Sequence, residues 1–90
     1  ISAEQQLVIT HGTDTMVQTA EHLARQPLNK TIVLVGAMLP YKIGGSDALF
    51  NLGCALTAVQ LLPHGIYITM NGKIFDWDKV HKDTTVGVFK

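Results

Sequence analysis

Ninety residues make one small domain or part of one. Apolar residues at 47% and charged residues at 16% belong to a folding chain and exclude a disordered one. Lys plus Arg (7) balance Asp plus Glu (7), so the chain has no basic footprint for nucleic acid, and its longest apolar-and-glycine run, residues 32–40, falls far short of the roughly 20 residues of a membrane span.

In chain order, Gln6 to Thr10 (QLVIT) is short, β-branched and apolar, which predicts a buried strand. Asp14 to Gln26 is predicted as a helix with Met16, Val17, Ala20, Leu23 and Ala24 on one face, ended by Pro27 and Asn29. Thr31 to Gly36 (TIVLVG) is a continuous apolar strand of the kind found in parallel sheets covered on both faces. After a loop from Pro40 to Gly45, Ser46 or Asp47 caps a second helix. Its apolar stripe is Ala48, Leu49, Leu52, Ala55, Leu56, Val59 and Leu62, and Pro63 and Gly65 punctuate its end. Gly65 to Met70 (GIYITM) is a third strand, and Asn71-Gly72 is a two-residue hairpin signal returning through Lys73 to Phe75. The mixed-charge tail from Asp76 to Lys90 is expected to be solvated, with a short turn near Val80 to Asp83, and Phe75 and Trp77 are expected in the core.

This alternation predicts an α/β domain, three-layered α/β/α, with a mainly parallel sheet and right-handed crossovers, flavodoxin-like in the broad sense. Three strands are few for such a sheet, and the chain opens on Ile1 rather than Met. The expectation is a partial domain over residues 1–90, completed by an upstream segment or by another chain. The lone Cys54 cannot form an internal disulfide and reads as a small core residue, so a cytoplasmic setting is the default.

Ligands of open α/β sheets bind beyond the carboxyl ends of the strands. The turn Thr10-His11-Gly12-Thr13-Asp14-Thr15-Met16 is the sharpest candidate there, because it joins hydroxyls, a glycine and a carboxylate at a strand-to-helix junction. A helix start offers backbone N–H groups to a substrate carboxylate or an oxyanion. Asp14 suits a substrate ammonium, and Thr13 suits positioning a water or, beside a base, nucleophilic attack. The plainer reading is that Thr13 or Asp14 only caps the helix. His11, His22, His64 and His81 show no metal-ligand spacing, and no metal is expected. His11 reads as a structural residue, and Gly44-Gly45 as a flexible loop without a phosphate-binding pattern.

His11-Gly12-Thr13-Asp14-Thr15-Met16 resembles the second signature of the bacterial L-asparaginase and glutaminase-asparaginase family. Val35-Gly36-Ala37-Met38-Leu39-Pro40 is similar to that family's Gly-Ala-Met strand end, and Ser46-Asp47-Ala48 with Phe50-Asn51-Leu52 to its next helix start. Met70-Asn71-Gly72 resembles its hairpin and Val80-His81-Lys82 its lysine segment. The resemblance covers nearly the whole chain and is nearest to short, single-domain members. It implies a Thr13-Asp14-Lys82 triad. Thr13 helps activate water, Lys82 perturbs or accepts its proton, and Asp14 orients the lysine or grips the substrate α-amino group. Gly12, Thr13, Asp14 and the backbone carbonyl of Ala37 would line the substrate. The implied reaction is cofactor-free hydrolysis of L-asparagine, or a related amide, in a protein expected to be a homo-oligomer.

The chain departs from the family pattern in lacking the Thr-Gly-Gly-Thr turn that carries the primary nucleophilic threonine, and the Asp-Ser segment that meets the substrate carboxylate. Val17 stands where many members carry an acid. Little or no activity is therefore expected of the 90 residues alone. Other readings are a non-catalytic amino-acid-binding or assembly module on the same fold, and an amidotransferase subunit that releases ammonia for a partner enzyme, although nothing basic supports an RNA-handling partner. A nucleotide binder would need a richer glycine turn than His11-Gly12-Thr13.

Overall fold

Continuous β-branched runs favour extended backbone, and in a sheet covered on both faces they bury every side chain. A computed structural model of the chain describes residues 5–26, 29–36 and 48–80, with 82–83 and 88–89 described as backbone. The expected loop at 40–45, the Ser46 or Asp47 cap and Ala37 lie outside the described residues. The elements are β1 (Gln6–Thr10), α1 (Met16–Ala24), β2 (Thr31–Val35), α2 (Ala48–Leu61), β3 (Gly65–Met70), β4 (Lys73–Asp76), β5 (Lys82–Asp83) and β6 (Val88–Phe89).

The main sheet has the order β1-β2-β3-β4. β1 and β2 pair in parallel with Thr10 opposite Val35, and β2 and β3 in parallel with Val35 opposite Thr69, so their carboxyl ends are level. β4 returns antiparallel, Met70 opposite Lys73, across a turn in which Asn71 (φ 57°) and Gly72 (φ 71°) are both left-handed. That is the hairpin geometry for which Asn-Gly is suited. The expected turn near 80–83 is corrected in its second half. Residues 82–83 form β5, which pairs antiparallel with β6, a partner that no local pattern reveals.

Strand alternation divides the core into two layers. On one face Ile32, Leu34, Ile66, Ile68 and Met70 pack with Met16 and Ala20 of α1, and Leu7, Ile9, Leu23, Phe75 and Trp77 pack around them. On the other face Val33, Val35 and Tyr67 pack with Ala55 and Val59 of α2. This is the expected three-layer α/β/α arrangement. Each fully buried Ile or Leu contributes about 1.5–3 kcal/mol of transfer free energy.

Two helix expectations are corrected. α1 begins at Met16, not Asp14, and its N-cap is Thr15 (φ −119°), which makes no side-chain capping hydrogen bond. Residues 13 and 14 belong to the turn before the helix. On α2 the buried residues are Asn51, Ala55, Ala58 and Val59, whereas Leu49 and Leu56 of the expected stripe are 70% and 50% exposed. The helix is apolar on nearly every side, so periodicity does not select its inner face. Cys54 is half-buried, not a core residue.

The crossovers also differ from expectation. Both run the same way across the sheet, from β1 to β2 and from β2 to β3, yet α1 covers one face and α2 the other. Two parallel crossovers with the same lateral step and opposite covered faces have opposite hands. One of them is therefore left-handed, against the strong general preference. α1 passes beyond β2 to pack chiefly over β3, so the chain leaving β1 must cross the end of β2.

Candidate functional site

The turn at residues 11–15 crosses the carboxyl edge of the sheet, where the parallel ladder opens and ligands of such folds bind. His11 begins it. Its backbone N–H donates to the Val35 carbonyl at 2.9 Å, extending the β1–β2 ladder by one residue. Its ring Nδ1 lies 2.6 Å from the Gly12 carbonyl, and its Nε2 lies 2.9 Å from the Thr19 hydroxyl. A carbonyl accepts only, so Nδ1 carries the proton and, in the neutral ring, Nε2 accepts from Thr19. His11 thus ties the loop to the first turn of α1, a structural task in keeping with its sequence reading.

Gly36 lies directly under this crossing. A Cβ there would fall 2.9 Å from the Met16 Cε and 3.3 Å from the Thr13 Cγ2, and nearer still to the His11 carbonyl oxygen. The glycine permits the turn bearing Thr13 to rest on the end of β2. Gly12 is different. Its φ is not positive, and among the described residues nothing lies within 4 Å of where its Cβ would be. Neither backbone nor packing requires a glycine at that exposed position.

Thr13 is half-buried and Asp14 exposed, side by side at the edge, and neither is the N-cap of α1. Both make further interactions within the chain. Lys82 opens β5 opposite Phe89. Its side chain is not described, so no distance joins it to Thr13 or Asp14. Two residues earlier, Val80 is buried in the same cluster as Met16, which brings that part of the tail to the α1 face of the sheet.

Beside the turn, on the α2 side, a cavity of about 250 Å³ is lined by Thr10, His11, Val35, Gly36, Ala48 and others. A larger hollow of about 550 Å³ lies between α2 and the β3–β4 hairpin and touches none of Thr13, Asp14 and Lys82. Its lining is almost wholly apolar, so it has little chemistry to offer an amino-acid substrate. Among the described residues no group of three or more His, Cys, Asp or Glu side chains could hold a metal, and no helix is long and apolar enough to cross a membrane.

Sequence reading missed Asn51 as part of this edge. It is fully buried, with Nδ2 donating to the Gly36 carbonyl at 2.9 Å and Oδ1 accepting from the Asn71 backbone N–H at 3.2 Å. The signal that could have found it was a lone Asn in a stretch, Ala48 to Leu56, that is otherwise apolar or glycine.

Residues 4–88 match the family described as asparaginase, N-terminal. The chain belongs to the asparaginase family. An L-asparaginase of Thermococcus kodakarensis is 40% identical over 84 residues, covering 91% of this chain and 26% of that protein. The solved thermostable L-asparaginase from the same organism superposes with a TM-score of 0.86 at 36% identity, covering 98% of this chain and 28% of that one. A glutamyl-tRNA(Gln) amidotransferase component of Methanococcus vannielii is 41% identical over 71 residues, 78% of this chain and 17% of that protein. This asparaginase-family chain thus spans about a quarter of the length of the curated asparaginases it matches, at 26% and 24%.

Proposed function

We propose that this chain is the part of an asparaginase-type amidohydrolase domain, over residues 1–90, that carries Thr13, Asp14 and Lys82, and that the reaction is hydrolysis of L-asparagine to L-aspartate and ammonia. The observation that carries this reading is the placement of Thr13-Asp14. Both residues sit on a turn at the carboxyl edge of a parallel sheet, ahead of Thr15, the N-cap residue of the helix that follows. Family membership gives that placement its chemistry. Further support comes from Val80, buried with Met16 two residues before Lys82. Two residues of chain span at most about 7 Å, so Lys82 stays near the α1 face on which Met16 lies.

In this mechanism a threonine hydroxyl supplied from outside these 90 residues attacks the side-chain amide carbon. The C–N bond breaks, the nitrogen leaves as ammonia with the hydroxyl proton, and an acyl ester remains. Water positioned by Thr13 then attacks the ester carbon, and Lys82 takes a proton from the water. As the ester C–O bond breaks, Lys82 returns that proton to the threonine oxygen, which restores the hydroxyl as L-aspartate leaves. Asp14 grips the substrate ammonium or orients Lys82. Gly12 and the Ala37 carbonyl complete the substrate contacts. The working form is a homo-oligomer in the cytoplasm, where a lone thiol such as Cys54 stays reduced.

Ammonia release from L-asparagine by the gene-encoded protein tests the reading. Thr13→Ala and Lys82→Met should each lower kcat by on the order of 10²-fold or more. Turnover that survives both changes would remove the triad. The 90 residues by themselves should release ammonia no faster than their Thr13→Ala variant. Calorimetry with L-aspartate on wild type and Asp14→Ala separates a binding module from a scaffold that has lost the pocket. The Methanococcus likeness favours a second reading, an ammonia-releasing component of an amidotransferase, which requires release to depend on an added partner enzyme and transfer RNA.

A further inference from the structure

We propose that Asn51 is a positioning residue of the active site: its side-chain amide holds the carboxyl ends of β2 and β3 together and so fixes the floor on which the Thr13 turn rests. The inference rests on the amidohydrolase reading above for its consequence in turnover, and on geometry alone for the link itself.

The β2–β3 ladder ends with Val35 opposite Thr69. Beyond it the strands have no regular pairing to hold Gly36 level with Met70 and Asn71. Asn51, on the inner face of α2 and fully buried, occupies that gap. Its Nδ2 donates to the Gly36 carbonyl at 2.9 Å and lies 3.5 Å from the Met70 sulfur, while its Oδ1 accepts from the Asn71 N–H at 3.2 Å. One planar side chain thus meets both strand ends.

Gly36 in turn lies under His11, Thr13 and Met16 with no room for a methyl group. The chain of contact runs from the Asn51 amide, through the Gly36 peptide, to the backbone that carries Thr13. Gly36 also immediately precedes Ala37, the proposed carbonyl contact to substrate. A burial so complete requires partners for the amide, but a purely structural Asn need not touch the peptide beneath the reacting turn.

The test uses the gene-encoded protein with L-asparagine. Asn51→Asp keeps the acceptor for the Asn71 N–H and loses the donor to the Gly36 carbonyl, and Asn51→Leu loses both. Ala58→Gly weakens the same helix at a buried position away from the strand ends. Both Asn51 variants should lower kcat about tenfold or more with KM within about threefold, the mark of misplaced groups rather than lost binding. Ala58→Gly should lower the unfolding midpoint with kcat unchanged. Amide NMR signals of His11, Thr13 and Gly36 should move in Asn51→Asp. Unchanged kcat in a folded Asn51→Asp protein, equal loss in Ala58→Gly, or NMR changes confined to α2 and the hairpin would each overturn the proposal. If wild type does not turn over asparagine, the amidohydrolase reading fails and the NMR comparison still decides the link. If neither Asn51 variant folds, the wild-type Asn51 side-chain NH₂ signal is followed as L-aspartate saturates the site. It should shift, and a signal that stays fixed overturns the proposal.

Discussion

Replacing Gly36 by alanine tests the crossing directly. The new methyl carbon would lie inside 3.0 Å of both the His11 carbonyl oxygen and the Met16 Cε. Met16 can yield, because its terminal methyl is the end of a flexible chain. The His11 carbonyl cannot yield cheaply, since the His11 N–H is bonded to Val35 at 2.9 Å and its ring is anchored to Thr19 at 2.9 Å. Restoring ordinary contact requires the carbonyl to retreat on the order of 1 Å, an overpacking that costs about 1–3 kcal/mol, and the pinned backbone argues for about 2–3. With a urea dependence of about 1–3 kcal/mol/M, the midpoint should fall by about 1 M. The same retreat carries the Thr13 backbone with it and should cost on the order of 10²-fold in turnover. Gly53→Ala is the matched control. Gly53 is helical and exposed with open space at its Cβ, so the change should stabilise by about 0.5–1 kcal/mol. Urea unfolding followed by circular dichroism reads both. A Gly36→Ala protein as stable as wild type, with turnover intact, would refute the crossing as the reason for the glycine.

Asn71 holds φ 57°, so Asn71→Ala should lose about 1 kcal/mol or more in urea unfolding because an alanine side chain disfavours the left-handed region. Burial pushes the Tyr67 phenol above its ordinary value of 10.0, and the Asp76 carboxylate adds to the rise. The fold therefore favours the neutral phenol, which donates to the Pro63 carbonyl at 3.0 Å. Its contribution to stability is complete below pH 10.0 and is lost as pH rises through the raised value, so Tyr67→Phe should flatten the alkaline fall in stability. Ile68→Ala, at a fully buried position, should cost about 2–5 kcal/mol in urea unfolding, and Leu61→Ala, 79% exposed, no more than about 0.5.

β1, β2 and β3 were legible because each holds a short continuous apolar run, although β1, expected as buried, is exposed at both ends and half-buried between. The hairpin was legible because Asn71-Gly72 can adopt two successive left-handed residues. The inner face of α1 was legible too, since Met16 and Ala20 stand out against Gln18 and Glu21. Its start was not. Asp14 has the composition of a helix start, but the chain must first cross the end of β2, and only the path of the crossover reveals that. The inner face of α2 was illegible for the opposite reason, because leucines surround the helix and the residue that turns inward with the alanines is Asn51. The turn at Thr13-Asp14 was found from its composition and resemblance. Its dependence on Gly36 and Asn51 was not, because both act through backbone groups distant in sequence.

The path of α1 has a consequence for the order in which the molecule can assemble. The second element of the chain finds much of its floor on β3, the fifth, so a nascent chain ending after β2 would hold α1 over a surface that does not yet exist. Non-local docking of this sort is slow relative to pairing of neighbours. During synthesis the loop bearing Thr13 would therefore reach its final shape only after residue 70 has joined the sheet, long after the residues of the loop itself have been made.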